Sequence, residues 1–206
     1  HMFVFGSNLF GRNGKGAAEY AQNFGATGEG VRGADPDRVQ GNTYSLPTKL
    51  RPGYTKKDIM PLSEMKLHFE NFARYVLDNP DTVFHIPNLG MSLGGHGDDE
   101  QSKKNLAATF SNAFKTVNPA ITLDDLKGRL HFDKGVEKDG KVGTGLGDFA
   151  FGGQFKDTSA TYIGNEDTEM GRAAFKATKI NNPPQLPRDR TSDFMNSTLE
   201  PSYRDA

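Results

Sequence analysis

Apolar runs of strand length alternate with helical patterns along the first 117 residues, and this alternation constrains the fold more than any single motif. Aromatic and β-branched runs predict strands, and apolar residues at helical spacing predict the helices between them. The predicted strands are Phe3–Phe5, Asn42–Pro47 and Thr82–Asn88, and the predicted helices are Gly16–Phe24, Pro61–Pro80 and Gln101–Val117. Such alternation is typical of an α/β fold with a parallel or mixed central sheet.

The helix beginning at Pro61 is the clearest of these elements. Proline suits the first turn of a helix, because the amide hydrogen that it lacks has no partner there. The apolar residues that follow fall on one face at helical spacing, and they are Leu62, Met65, Phe69, Phe72 and Val76. A stripe of this kind predicts packing against the core rather than contact with a cofactor.

Composition narrows the class of protein. Glycine is abundant at 24 of 206 residues and apolar content is 34%, which indicates a globular chain rich in loops. The net charge of -1 disfavours nucleic acid and membrane surfaces as partners. The absence of cysteine excludes disulfides and thiolate chemistry. No apolar run approaches the ~20 residues of a membrane span.

The start of the chain carries no pattern typical of a secretory signal. His1 is interpreted as a cloning remnant ahead of a natural Met2, and the first strand follows at once. The sequence therefore predicts a cytoplasmic protein, and the host cytoplasm of an infected cell is included in that expectation.

The chain divides into three predicted regions. Residues 2–117 carry the strand–helix alternation, and residues 118–180 form an accessory region. In that region the Asp139-Gly140 pair predicts a hairpin, and residues 166–180 predict a short helix. Residues 181–206 are polar and rich in proline. We expect this tail to wrap the domain or to dock on a protein partner.

Two glycine-rich loops follow predicted strands, "GSNLFGRNGKGAA" after the first and "LGMSLGGHGDD" after the third. A Walker A loop is excluded, because Gly16 stands where a hydroxyl should bind magnesium and Leu9 stands where the first glycine belongs. The GxGxxG pattern at Gly28–Gly33 follows a helix rather than a strand and is interpreted as chance. The remaining hypothesis is a looser loop whose backbone amides, with those of the next helix start, approach a phosphate.

The order and spacing of these two loops resemble the ligand loops of macro domains, the ADP-ribose-binding α/β/α modules. The chain also resembles a family of small, uncharacterised bacterial and phage proteins with a Phe-Gly-Ser-Asn strand end, a "GNTYSLPTK"-like strand and a glycine-rich second loop. The resemblance covers about Met2–Val117. It implies a three-layer α/β/α, macro-like domain with a C-terminal extension, which binds ADP-ribose or a related nucleotide.

The resemblance also implies roles for individual residues. Asn8 looks like the asparagine that contacts the distal ribose, although an asparagine here could equally bond its own turn. The glycines of the first loop would let backbone amides reach ribose and phosphate, and the second loop would lie over the diphosphate, with His96 at a position commonly aromatic. The implied ligand-binding residues are Gly6, Ser7, Asn8, Gly11, Asn13, Gly14, Lys15, Gly16, Gly90, Ser92, Leu93, Gly94, Gly95 and His96.

Two departures from the macro-domain pattern shape the functional hypothesis. Lys15 stands where hydrolytic members often carry an acid, and Ser92 replaces the second glycine of the second loop. Lys15 could pair with a phosphate, so ligand binding is the main hypothesis and no catalytic residue is assigned. Hydrolysis of ADP-ribosyl bonds is the first alternative. An interaction protein with a vestigial cleft is the second.

Other polar residues receive structural interpretations. His96 with Asp98 and Asp99 forms an incomplete ligand set, so we predict no metal and no cofactor, and the two acids are expected to cap the next helix. His68 is expected on the solvated side of its helix. His85 is expected inside a strand. Lys49 and Arg51 are expected in a solvated loop.

Overall fold

The computed structural model describes residues 1–53, 55–91, 94–133 and 137–155. Its strands are β1 (Met2–Asn8), β2 (Val39–Gln40), β3 (Thr43–Lys49), β4 (Phe84–Ile86), β5 (Leu130–Phe132), β6 (Glu137–Lys138) and β7 (Lys141–Val142). Its α-helices are α1 (Gly16–Tyr20), α2 (Leu62–Asp78), α3 (Glu100–Val117) and α4 (Leu146–Phe149). Short 3-10 helices cover Ala21–Phe24, Lys56–Asp58 and Ala150–Gly153.

Five of the strands form one sheet in the order β2-β3-β1-β4-β5. β1 lies in the middle and pairs in parallel with both neighbours, with Phe3 opposite Thr43 on one side and His85 on the other. β5 continues the parallel set, whereas β2 is antiparallel to β3. The predicted α/β class with a mixed central sheet is therefore confirmed.

The sheet is covered on both faces near β1. Successive residues of a strand point to opposite faces, so Met2 and Val4 face one side and Phe3 and Phe5 the other. Met2 and Val4 belong to the main core with α2 and α3, whereas Phe3 and Phe5 pack with Ala18, Ala21 and Phe24 in a smaller cluster.

The main core is built from aromatic rings on α2 and α3. Phe69 and Phe110 meet edge to face at 5.3 Å between ring centroids, and Phe72 makes a similar contact with Phe114 at 6.3 Å. All four side chains are fully buried, and each contributes about 1.5–3 kcal/mol by leaving water. The apolar stripe predicted for α2 is therefore confirmed as core.

Several predicted elements have different limits in the structure, and two of these differences have a clear structural basis. β3 continues through Pro47 to Lys49, although Pro47 was expected to end it. β2 covers the outer edge of β3 only at Thr43 and Tyr44, so at Pro47 that edge needs no amide hydrogen. The first helix ends at Tyr20 and continues as a 3-10 turn to Phe24, where Gly25 takes a left-handed conformation.

The region predicted as accessory contributes to the main sheet. β5 lies within residues 118–180 and pairs with β4 from Phe84 opposite Leu130 to Ile86 opposite Phe132. The predicted boundary at residue 117 therefore falls inside the sheet-bearing unit. The Asp139-Gly140 hairpin is confirmed, since both residues have positive φ between β6 and β7. The predicted helix at 166–180 and the tail at 181–206 lie outside the described residues.

Of the predictions made for the histidines and acidic residues, one is wrong and two are confirmed. His68 is buried at 7% exposure rather than solvated, because α2 turns it toward the buried guanidinium of Arg38. His85 is inside the sheet as expected, with 1% exposure. Asp99 caps α3 as expected, and its Oδ1 accepts a hydrogen bond of 2.7 Å from the Ser102 amide.

Candidate functional site

The order of the strands creates a topological switch point at the carboxyl end of β1. The chain leaves β1 through α1 and joins the sheet as β3 on one side, and after α2 it returns as β4 on the other side. In open α/β sheets, ligands bind where consecutive connections leave in opposite directions, outside the carboxyl ends of the strands. The two glycine loops follow β1 and β4, so both leave the sheet at this edge.

The first of them, loop 1 (residues 9–15), is organised by Asn8. The Oδ1 atom of Asn8 accepts hydrogen bonds from the amides of Phe10 at 3.0 Å and Arg12 at 3.3 Å, and its Nδ2 donates to the Arg12 carbonyl at 3.0 Å. The side chain is 6% exposed. The alternative interpretation of Asn8 as a residue that bonds its own turn therefore matches these contacts, and the ribose contact stays a prediction.

Loop 1 packs against the Gly28–Gly33 segment. The Gly30 amide donates to the Gly11 carbonyl at 2.6 Å, and the Gly33 amide donates to the Leu9 carbonyl at 2.8 Å. An ion pair of 3.0 Å between Arg12 and Glu29 lies beside them. The GxGxxG pattern, interpreted as chance from the sequence, thus forms the backing of loop 1.

Two buried residues hold this arrangement together. Asn13 is wholly buried and its Nδ2 donates to the Thr27 carbonyl at 2.7 Å, so it ties loop 1 to the backing segment and presents no surface to a ligand. Arg38 is 2% exposed, and its guanidinium donates to the carbonyls of Ser45, Gly33 and Val31. Asn13 therefore positions loop 1, its predicted ligand contact stays a prediction, and the role of Arg38 was not indicated by the sequence.

The second, loop 2 (residues 87–99), folds on itself. Ser92 and Leu93, both predicted ligand contacts, lie outside the described residues. A Cβ on Gly94 would lie 2.5 Å from the Cα of Gly90, and the His96 amide donates to the Gly90 carbonyl at 2.9 Å. Gly90 and Gly94 are buried, so the two glycines allow close packing within the loop.

The segment between β3 and α2 (residues 50–61) lies between the two loops. The Leu9 amide donates to the carbonyl of Lys49, the last residue of β3, at 3.2 Å. His96 Nε2 donates to the Met60 carbonyl at 2.7 Å, and a Cβ on Gly95 would press on Ile59. The connections after β1, β3 and β4 are therefore joined by direct contacts at one edge of the sheet.

Two lysines lie at this edge. Lys49 is the register partner of Asn8 and is partly buried rather than solvated, and its Nζ donates to the Gly53 carbonyl. Burial lowers the pKa of Lys49, the Asp58 carboxylate raises it, and the charge of Lys15 lowers it further. Lys15 is exposed. The positive charge of Lys15 therefore acts on Lys49 across this edge of the sheet.

The carboxylate of Asp58 is already engaged at this edge. Its Oδ2 accepts hydrogen bonds from the amide and the hydroxyl of Thr55, and its Oδ1 pairs with Arg51 at 2.9 Å. These bonds, those from Thr55 above all, hold the pKa of Asp58 below its usual value. Asp58 therefore partly offsets the charge of the lysines while fixing the turn from Gly53 onward.

A buried carboxyl lies one strand further along. Asp133 directly follows β5, and its amide donates to the Ile86 carbonyl at 2.9 Å, level with the start of loop 2. Its side chain is 3% exposed, and its Oδ2 has no hydrogen-bond partner within the described part of the chain. Burial raises the pKa of Asp133 well above its ordinary value. The alternation of Leu130 and Phe132 with polar residues was the signal that could have found it.

The remaining predicted ligand contacts lie either within β1 or at the junction of loop 1 with α1. Gly6 and Ser7 lie within β1, and Ser7 is buried. Gly16 takes a φ of 61° where α1 begins. Because α1 has only 5 residues, its dipole adds little attraction for a phosphate. Gly14 and Lys15 come just before it and complete loop 1.

A cavity of about 710 Å³ lies away from this edge, against the outer side of α3. Phe149, Phe151 and Leu126 contribute apolar walls, and Lys104 and Lys115 contribute charge. Neither glycine loop lines it.

Across the same described ranges, no helix has the length and apolar character that crossing a bilayer requires. Those ranges also contain no cluster of three or more His, Asp or Glu side chains suited to holding a metal ion.

Comparison with protein-family models, curated proteins and solved structures finds no match to this chain.

Proposed function

We propose that this chain binds an ADP-ribose-type nucleotide at the carboxyl edge of the sheet, with its diphosphate between loop 1 and loop 2. The observation that carries the proposal is the position of the loops. They follow β1 and β4, which are neighbouring parallel strands at a topological switch point. That crevice is where open α/β sheets bind their ligands.

The charges at the edge favour an anionic ligand. Lys49 ends β3 next to β1, Lys15 belongs to loop 1, and the charge of Lys15 lowers the pKa of the partly buried Lys49. A diphosphate between them would relieve the repulsion of two ammonium groups and accept charge-assisted hydrogen bonds. The adenosine and ribose parts of the proposal depend on the sequence resemblance to macro domains.

The proposal assigns different roles to the glycines and to the cations. Gly11 and Gly94 are required by close contacts within the chain, and Gly90 by its φ of 73°, so all three shape the loops. Direct contact with the ligand is assigned to Lys15, to Gly14 beside it and to the exposed part of loop 1. Asn8 acts by holding loop 1 in shape, and any ribose contact adds to that role.

Calorimetric titration tests the proposal. We expect ADP-ribose to bind the wild-type protein, and pyrophosphate to bind more weakly at the same site and to compete. Lys115→Ala is the matched control, because this exposed lysine lies at the carboxyl end of α3 and therefore at the opposite edge of the sheet. Absence of heat and of thermal stabilisation with ADP-ribose, NAD and pyrophosphate would contradict binding and favour an interaction protein with a vestigial cleft.

Hydrolysis of an ADP-ribosyl bond is the second candidate function, and Asp133 is the observation that favours it. Burial raises the pKa of Asp133 well above its ordinary value and thereby favours the protonated form, which is the state that a general acid requires. Asp133 lies beside the start of loop 2, at the same edge of the sheet as the proposed ligand. Release of free ADP-ribose from a modified substrate by the wild type, and its loss in Asp133→Asn, would establish this function.

A further inference from the structure

Phe10 is an exposed aromatic side chain at the proposed binding edge. Its side chain is 54% exposed, and Leu67 on α2 is the other large apolar residue that the described ranges leave in contact with solvent. Phe10 lies in loop 1, two residues after β1 ends. Single exposed apolar residues are ordinary on protein surfaces, so exposure alone assigns no role to it.

The backbone around Phe10 is fixed on both sides. The Phe10 amide donates to Asn8 Oδ1 at 3.0 Å, and the Gly11 amide donates to the Asn8 carbonyl at 3.1 Å. The Leu9 amide donates to the Lys49 carbonyl at 3.2 Å, and the Leu9 carbonyl accepts a hydrogen bond of 2.8 Å from the Gly33 amide. The ring is therefore presented to solvent from a loop that has little freedom to withdraw it.

A ring presented from a fixed loop has a specific use at an edge of the sheet that also carries Lys15 and Lys49. An aromatic side chain offers a planar apolar face, on which a planar heteroaromatic ring stacks at low entropic cost when the platform is already fixed. Lys49 is bonded through its carbonyl to the residue before Phe10. A ligand with both a phosphate group and a planar base would match this combination of ring and charge.

We propose that Phe10 is the platform on which the base of the bound nucleotide stacks. This inference rests on the proposed function and adds to it the residue that distinguishes a nucleotide from a bare phosphate compound. The class of ligand is then a nucleoside diphosphate derivative, with the diphosphate at the lysines and the base against Phe10.

The test compares two ligands on matched variants. Phe10→Ala should weaken ADP-ribose binding about five- to hundredfold, the range found when stacking side chains are truncated, and should leave pyrophosphate binding unchanged. Phe10→Tyr, which keeps the ring, should retain most of the affinity for ADP-ribose. Leu67→Ala is the control, since it removes a side chain of similar exposure, 57%, from α2.

The outcomes separate the two proposals. If the wild type binds ADP-ribose and Phe10→Ala binds it equally well, the stacking role is overturned while the proposed function stands. If Phe10→Ala weakens both ligands by the same factor, Phe10 merely supports the loop and the stacking role is again overturned. If the wild type binds neither ligand, the proposed function fails, and the stacking role fails with it. Urea unfolding of each variant confirms that the loss concerns binding and not folding.

Discussion

Gly11 and Gly30 meet so closely that a Cβ on Gly11 would lie 2.6 Å from the carbonyl oxygen of Gly30. No ordinary side chain can occupy that space, and Gly11 also has a φ of 69°. The backbone that comes close to loop 1 is therefore the chain's own Gly28–Gly33 segment. This contact explains the glycine at position 11 without a ligand.

The first prediction compares the stability cost of the clash with Gly30 with the cost of a positive φ alone. Gly11→Ala should destabilise the fold by about 2–5 kcal/mol, because both the positive φ and the clash with Gly30 are unfavourable for alanine. Gly33→Ala is the matched control, with a φ of 61° and no atom within 4 Å of its added Cβ. It should cost only about 1–2 kcal/mol. Urea unfolding of both variants measures the difference, and equal losses would show that the clash is relieved.

Local patterns predicted the elements whose signal is contained in a short stretch of sequence. The apolar stripe of α2 and the Asp139-Gly140 turn are both such signals, and the structure has both. β2 has only 2 residues and no periodicity to detect. The continuation of β3 past Pro47 depends on which edge has a neighbour, which a local pattern does not contain.

The candidate site was predicted less completely than the fold. The sequence predicted that glycine loops follow two of the strands. It did not predict that β1 and β4 are neighbours, because that depends on the order of the strands in the sheet. The inward direction of Asn13 depends on contacts with Thr27 and Gly28, which are distant in the sequence. The bonds to Asn8 Oδ1 are local, from the amides of Phe10 and Arg12, and they match the turn interpretation that the sequence also offered. Asp133 went unnoticed because β5 was not predicted.

The second prediction concerns the buried carboxyl of Asp133. Burial raises its folded pKa, whereas the unfolded chain ionises it near 3.9. Unfolding therefore releases a proton between those two values. The stability that this group contributes is complete below about pH 4 and is lost as the pH rises toward the folded pKa. Asparagine does not ionise, so Asp133→Asn should gain stability relative to wild type as the pH rises from 4 to 8.

The difference between variant and wild type is the quantity to measure. Asp58, Asp99 and Asp125 have lowered pKa values and the opposite pH dependence, and they cancel in that difference. Each unit by which the folded pKa of Asp133 exceeds 3.9 should add about 1.4 kcal/mol to it. A difference that stays constant across this pH range would show that Asp133 is ionised in the folded chain.

The third prediction concerns acid sensitivity at His85. Burial lowers its pKa to about 3, and the charges of His131 and the amino terminus add to the effect. The unfolded chain protonates this histidine near 6.5. The stability that neutral His85 contributes is therefore complete above about pH 6.5 and is lost as the pH falls toward 3.

A side chain that does not ionise at position 85 should remove this loss of stability at low pH. His85→Leu should lose about 2 kcal/mol less stability than the wild type between pH 7.5 and pH 5, as the linkage relation gives for a group that protonates only when unfolded. Urea unfolding at both pH values measures it. The comparison is between the changes in unfolding free energy from pH 7.5 to pH 5. A pH-independent cost of the altered contact with His131 therefore does not affect the result. Parallel profiles would mean that His85 is protonated in the folded chain.

The fourth prediction concerns Lys15 and decides between the two proposed functions. If Lys15 pairs with a ligand phosphate, the charge-assisted bond is worth about 1.5–3 kcal/mol. Lys15→Ala should then weaken ADP-ribose binding by about ten- to a hundredfold. It should also reduce the dependence of affinity on salt, because one ionic contact is lost. Lys15→Asp should bind more weakly still, since it places a like charge beside the diphosphate.

Because the backbone of loop 1 is held by Asn8, Asn13 and the Gly28–Gly33 segment, Lys15→Ala should still fold, and urea unfolding of the variant checks this. Lys115→Ala should leave the affinity unchanged. Under the binding proposal, the wild type shows no turnover. Steady release of ADP-ribose by the wild type, with unchanged affinity in Lys15→Ala, would instead make hydrolysis the function of this edge of the sheet, and loss of that release in Asp133→Asn would assign the general acid.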